Sequence, residues 1–274
     1  MLKNNIQISI ITLTKDDNFK FVKTLKSIMS QKRKFNLEWI IIDGSDKKNQ
    51  VKNKSHIKKL LFENRQILIK HIYADEININ GIYPCMNYGK RISKGNFIIF
   101  LNSGDTFFNK NSLKIFFENS LNTDLHTSMI FGQAKIIANN KISWNFPGKK
   151  LKNINIWLKF FEPNHQSMLV SRTLANKIEF PVQYNMIGDG YWKRNIIEQA
   201  SSVVYINKPL IKFFLDGVSS IKPSKKVFLD LIHNKKISII RKFIFIVKFF
   251  FPTKIFFFYF LMQKLKSNLL DLII

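Results

Sequence analysis

The sequence predicts an α/β domain with a mostly parallel central sheet, followed by a C-terminal α-helical tail. Two observations carry this reading. Continuous apolar runs rich in β-branched residues alternate with stretches of three- and four-residue periodicity, as in strands buried on both faces and joined by helices. Two of those runs also break abruptly into small polar turns with a carboxylate, "IIIDGSD" at 40–46 and "IIFLNSGD" at 98–105.

The elements follow in order. "IQISIITLT" (6–14) is the first strand. Phe21, Val22, Leu25, Ile28 and Met29 share one face and Lys20, Lys23 and Lys26 the other, which predicts a helix over 19–29. A second strand, Leu37 to Ile42, ends on Asp43, Gly44 and Ser45. A Lys-rich helix through Leu60 and Leu61 leads to a third strand in "QILIKHIYAD" (66–75). Met86 to Ile92 reads as helix and Asn96 to Leu101 as a fourth strand, closed by Asn102, Ser103, Gly104 and Asp105.

In such sheets ligands lie beyond the carboxyl ends of the strands, so Asp43 and Asp105 are expected on one edge. A carboxylate beside small residues suits a hard divalent cation carried with a phosphate. Asp105 equally suits an Asx-turn or the N-cap of a helix over Thr106 to Phe117. The residues alone leave both open.

Composition bounds the function. With 274 residues the chain can bury one large domain, or one of about 200 residues with an appendage. Hydrophobic content of 46% against 23% charged residues excludes wholesale disorder. The single cysteine, Cys85, excludes an intrachain disulfide and a multi-cysteine zinc site. The apolar part of "MLKNNIQISIITLT" is short and lacks a small-residue cleavage site, so no signal peptide is expected and the cytoplasm is the default compartment. There are 44 Lys and Arg against 18 Asp and Glu, a net charge of +26 and a pI near 10.1. Such a field attracts polyanions, although joint enrichment in Lys, Asn, Ile and Phe is what an AT-rich genome imposes without functional demand. Location says more than the total: residues 221–274 hold eleven Lys or Arg against only Asp230 and Asp271.

Six ordered blocks carry a resemblance: "SIITLT" (9–14), "EWIIIDGSD" (38–46), "GIYPCMNYGKRISKGNFIIFLNSGD" (81–105), "NHQSMLVSR" (164–172), "IGDGYWKR" (187–194) and "DGVSS" (216–220). Together they resemble the family 2 inverting glycosyltransferases of GT-A fold, a Rossmann-like nucleotide-diphospho-sugar domain. The likeness is greatest to bacterial enzymes of capsule, lipopolysaccharide or exopolysaccharide synthesis. The resemblance implies that Thr12 and Asp43 contact the nucleoside, that Asp75 or Glu76 helps to hold the nucleotide, and that Asn102, Ser103, Gly104 and Asp105 stand at the metal-binding DXD motif. Asn102 and Gly104 replace that motif's carboxylates, leaving Asp105 as the charged ligand for Mn2+ or Mg2+. Asp189 falls on the catalytic base, Tyr191 and Trp192 on an acceptor or sugar subsite, and Arg194 on the family's positive residue one helical turn on. His165 and Gln166 would line the donor pocket, and "DGVSS" would close over the donor phosphates. Two departures stand out: Pro84 replaces a common Asp, and Asp216 stands where Gly is more usual. The implied activity moves a sugar, with inversion, from a UDP-sugar to a hydroxyl of a glycan or polyprenyl-linked acceptor.

Residues 1–220 are therefore expected to form the GT-A domain and 221–274 a basic, aromatic-rich appendage. "FIFIVKFFFPTKIFFFYFLM" (243–262) approaches the length of a membrane span, about 20 apolar residues, yet Lys248, Pro252 and Lys254 interrupt it. Two interfacial helices on the inner face of the cytoplasmic membrane, attracted to anionic lipid, suit it better; a buried helical pair or a dimer interface is the plainer reading. Two other functions compete. A nucleic-acid-binding protein would rest on charge alone, with no zinc spacing, RNP-type strand or KH loop to support it, and no nucleic-acid partner is expected. An inactive glycosyltransferase-like scaffold would keep Asp43 and tolerate loss of Asp189.

Overall fold

A computed structural model describes residues 6–61, 67–138, 142–148, 150–183 and 188–215, with isolated helical positions in the tail at 228, 229, 232, 242, 246, 249, 250 and 265. The strands are β1 (Ile8–Thr14), β2 (Leu37–Asp43), β3 (Ile67–Tyr73), β4 (Phe97–Phe100), β5 (Thr106–Phe107), β6 (Ser128–Ala138), β7 (Ile142–Phe146), β8 (Met168–Ser171) and β9 (Ser202–Phe214). The helices are α1 (Asn18–Met29), α2 (Lys47–Leu61), α3 (Ile82–Ile92), α4 (Ser112–Ser120), α5 (Ile154–Phe160), α6 (Arg172–Lys177) and α7 (Gly188–Gln199), with a 3-10 turn at His165–Ser167.

The strands form one sheet in the order β3-β2-β1-β4-β8-β6-β9-β5, with β7 beside β6. Its N-terminal half, β3-β2-β1-β4, is wholly parallel. Beyond β4 the sheet is mixed: β8 runs antiparallel to β4 and β6, and β9 is parallel to β6. The α/β class is as the sequence predicts.

Alternation along β1 explains the layers. Ile8 and Ile10 join Phe21, Leu25 and Ile28 of α1 in one apolar cluster. Ile11 points the other way, into a cluster with Met86 of α3, Phe180 and Trp192. Burial on both faces is what continuous apolar strands require.

Two local predictions change. The helix expected after Asp105 is replaced by the two-residue strand β5, which pairs with β9, and α4 starts only at Ser112. α3 begins at Ile82, not Met86; Pro84 lies in its first turn, where a missing N–H costs no helical hydrogen bond.

The tail and the "DGVSS" segment lie outside the described residues, apart from the isolated positions named. Among those, Phe228 is buried and stacks on Phe249 at 4.0 Å. Among the described residues, no helix is long and apolar enough to cross a membrane.

Candidate active site

The predicted edge exists, and it is built around the turn that ends β4. Asp105 N–H donates to Asn102 O at 3.1 Å, and Gly104 has φ +101°, the backbone of a type II turn in which the third residue is glycine. Ser103 N–H bonds Leu13 O at 3.0 Å, tying the turn to the end of β1. Thr24 of α1 braces it, accepting from Gly104 N at 2.9 Å and donating to Asp105 O at 2.7 Å.

Asp105 is buried and faces the protein on both oxygens. Oδ1 accepts from Phe214 N at 2.8 Å, and Oδ2 accepts from Gln166 Nε2. The same Gln166 amide takes Asn102 N–H on Oε1 at 2.9 Å. Gln166 thus clamps the turn at both ends. Asn102 Oδ1 and Ser103 Oγ, by contrast, are buried without a hydrogen-bond partner. Unsatisfied buried oxygens are costly, and these two lie at the carboxyl end of β4.

One residue before Gln166, His165 faces the other acidic group. Its Nδ1 lies 3.7 Å from Asp189 Oδ2. Burial pushes the His165 imidazole down to about 4, against the opposing pull of the Asp189 charge, so it is neutral at pH 7. Asp189 occupies the first turn of α7, where exposed helix N–H groups favour a carboxylate. Lys193, four residues on along α7, brings Nζ to 3.7 Å from the same oxygen. Tyr83 of α3 packs against this turn: a Cβ on Gly188 would meet its ring at 2.7 Å. Burial, and secondarily the Asp189 charge, raise the Tyr83 phenol well above its ordinary value.

Asp43 ends β2 fully buried. Oδ1 accepts from Ser45 N at 3.0 Å, while Oδ2 takes Asn53 Nδ2 at 2.9 Å and lies 3.0 Å from His71 Nε2. Burial raises this carboxyl, but the hydrogen bonds from His71, Ser45 and Asn53 outweigh it, and the net shift is downward. Gln50 links the group to Asp75, donating to Ser45 O and Asp75 Oδ1. Asp75 also pairs with Lys47 at 2.7 Å, which lowers its exposed carboxyl. Glu76 beside it is exposed.

Three expectations need correction. Trp192 is no sugar plate: it is 1% exposed, stacks on Phe180 at 4.7 Å and spends its indole N–H on Ile178 O. Tyr191, its neighbour, is only half-buried. Arg194 turns away from Asp189, donating to Leu158 O at 2.7 Å and Glu162 Oε1 at 3.1 Å; Lys193 takes the place expected of it. Thr12 is sealed in the sheet, donating to Leu101 O and accepting from Trp39 Nε1.

Tyr83, Lys193 and His71 were not foreseen. Lys193 had a signal, the i, i+4 spacing from Asp189 on a helix. Tyr83 lies inside the "GIY" block. His71 has no signal beyond its place in β3, beside β2. Cys85 is buried with its thiol pushed up to about 11, which removes it as a nucleophile at neutral pH.

The fold is shared with solved glycosyltransferases. TarS 1–349 from S. aureus matches at TM-score 0.60 and 18% identity in its UDP-GlcNAc complex, over 89% of this chain and 71% of that one. Its UDP complex gives 0.59 and 15%, over 89% and 70%. The mannosyltransferase PcManGT from Pyrobaculum calidifontis, solved with GDP-Man and Mn2+, gives 0.52 and 11%, over 84% and 61%. No family model and no curated protein matches the sequence. At these identities the likeness establishes the fold, a GT-A-like α/β domain with a curled central sheet.

Proposed function

We propose that this protein is an inverting glycosyltransferase that moves a sugar from a nucleotide-diphosphate donor, a UDP-sugar, to a hydroxyl of a glycan or lipid-linked acceptor in bacterial surface polysaccharide synthesis. One observation carries the reading. Consecutive residues of one short turn, His165 and Gln166, contact Asp189 and Asp105 respectively, which supports reading the two carboxylates as parts of a single site. The fold adds support, since proteins that share it were solved with UDP, UDP-GlcNAc and GDP-Man.

In this reading Asp189 accepts the proton of the acceptor hydroxyl as that oxygen attacks the anomeric carbon. The nucleoside diphosphate leaves from the opposite face, and a single displacement inverts the anomer. Lys193 and the helix N-terminus set positive charge beside Asp189. His165, neutral and packed beside it, fixes its position without competing for the proton. The Asp43 and Asp75 network lies at the β2 and β3 ends, where the nucleoside would bind, with His71 and Gln50 as additional polar contacts.

The donor set fits a divalent cation through few ligands: Asp105 supplies the charge, and Asn102 Oδ1 and Ser103 Oγ are oxygens without partners. Among the described residues no three His, Cys, Asp or Glu side chains cluster to hold a metal, so donor phosphate oxygens would complete the shell. Bound there, Mn2+ or Mg2+ would offset charge on the departing diphosphate.

The test uses Asp189→Asn and Asp105→Asn with a panel of nucleotide sugars. Asp189→Asn should lower turnover about 100- to 10,000-fold and leave UDP binding within about twofold. Asp105→Asn should abolish any Mn2+-dependent rise in thermal stability with UDP. Full turnover by Asp189→Asn would overturn the assignment.

A further inference from the structure

The chain between Asp124 and Glu162 contains no acidic residue but six lysines. Its structured end, α5, carries apolar side chains on both of its sides. Trp157 and Leu158 point inward and are 2% and 4% exposed. Ile156 and Phe160, four residues apart and therefore on one side of the helix, point outward at 38% and 66% exposure. Lys159 stands between that pair in sequence and Lys150 and Lys152 just precede the helix; all three are exposed. An aromatic and an aliphatic residue facing solvent amid lysines cost solubility and help no core.

The position of α5 supplies the reason. The helix is joined to α7 by three contacts: Arg194 donates to Leu158 O at 2.7 Å and to Glu162 Oε1, just past α5, at 3.1 Å, and Lys193 reaches Glu162 at 3.7 Å. Lys193 is the same side chain that stands against Asp189. Trp157 anchors α5 from below, stacked on Phe131 at 5.8 Å and on Phe161 at 5.5 Å. The outward face of α5 is thus a shoulder tied to α7, the helix that carries Asp189.

We propose that this shoulder docks on an anionic lipid bilayer, with Phe160 and Ile156 inserted among the acyl-chain ends and Lys150, Lys152 and Lys159 on the phosphates. Charge complementarity selects this occupant: a bilayer surface offers a layer of anionic phosphates above an apolar phase, which matches lysines around a hydrophobic pair. Each lysine near an anionic leaflet strengthens binding about fivefold. The docking stands apart from the transfer chemistry and from the C-terminal tail.

The experiment places a polarity-sensitive fluorophore on Phe160→Cys in the full-length chain with Cys85→Ser, and titrates vesicles of phosphatidylglycerol or of phosphatidylcholine. A blue shift with phosphatidylglycerol, weak or absent with phosphatidylcholine, is expected. The same label on Leu121→Cys, an exposed position with Glu118 and Asp124 close in sequence, should not shift. Replacing Lys150, Lys152 and Lys159 together by Gln should weaken the Phe160 response about 100-fold, and Asp189→Asn should leave it unchanged. Vesicle binding with no shift at Phe160 would overturn the proposal and assign attachment to the tail. A concentration-dependent shift without vesicles would overturn it as well, in favour of contact between copies of this chain.

Discussion

His165 gives the site a pH signature that can be measured without substrate. Its imidazole titrates at about 4 in the folded chain against an ordinary 6.5, chiefly through burial. Between those values the unfolded chain binds a proton that the folded one refuses, so stability falls as the pH drops through that window. The contribution is complete above pH 6.5, declines below it and is exhausted near pH 4. The full shift corresponds to about 3 kcal/mol. Asp43, whose carboxyl is also held low, loses its contribution only at more acidic pH, below the ordinary carboxylate range. Urea unfolding at pH 7 and pH 4.5 should therefore show a large loss for the natural chain and a loss smaller by about 2 kcal/mol for His165→Gln; equal losses would contradict the burial argument. At this scale the sequence was legible where backbone geometry dictates the residue and opaque where packing decides. The turn at 102–105 announced itself through its glycine and its small polar neighbours. Trp192 did not reveal that it belongs to the aromatic core, because its ring neighbours Phe100 and Phe180 lie outside its own helix, Phe100 in β4.

At the scale of elements, the placement of Asp189 depends on how closely α7 approaches α3. Gly188 opens α7 and lies so near Tyr83 that no side chain fits between them. Gly188→Ala should push the first turn of α7 outward, cost about 1–3 kcal/mol by overpacking, and lower turnover through displacement of Asp189. Tyr83→Ala in the same chain removes the ring that causes the clash. The two substitutions should then be non-additive, with a coupling above about 0.5 kcal/mol in a double-mutant cycle of urea midpoints. Additive costs would mean that α7 is positioned by something other than this contact. The strands were legible because β-branched runs buried on both faces leave no competing periodicity, and β1 to β4 fall where the sequence predicts them. The segment after Asp105 was not. Thr106 and Phe107 form a strand because β9, about a hundred positions later, offers an edge to pair with, and no local pattern encodes that.

The whole molecule combines a GT-A-like domain with a strongly uneven charge distribution. Residues 221–274 hold eleven basic and two acidic residues, so a chain ending at 220 would retain +17 of the +26 net charges. Among the described residues, β9 ends at Phe214, and the two apolar clusters that sandwich the sheet are drawn from residues 8–211. A truncation at 220 should therefore unfold cooperatively, and donor binding should persist unless the "DGVSS" segment needs the tail behind it. Membrane attachment should divide into two parts. If the tail is an interfacial anchor, its removal weakens sedimentation with anionic vesicles strongly, since several lysines and a Phe-rich stretch go together. What remains should depend on the α5 shoulder: it should fall off steeply with added salt, because exposed charges are screened within about 10 Å at 0.1 M. It should also vanish in a truncated chain carrying Phe160→Ser. Sedimentation of the truncated chain as efficient as that of the full chain would refute the tail's role. Residual binding indifferent to both salt and Phe160→Ser would refute the shoulder's.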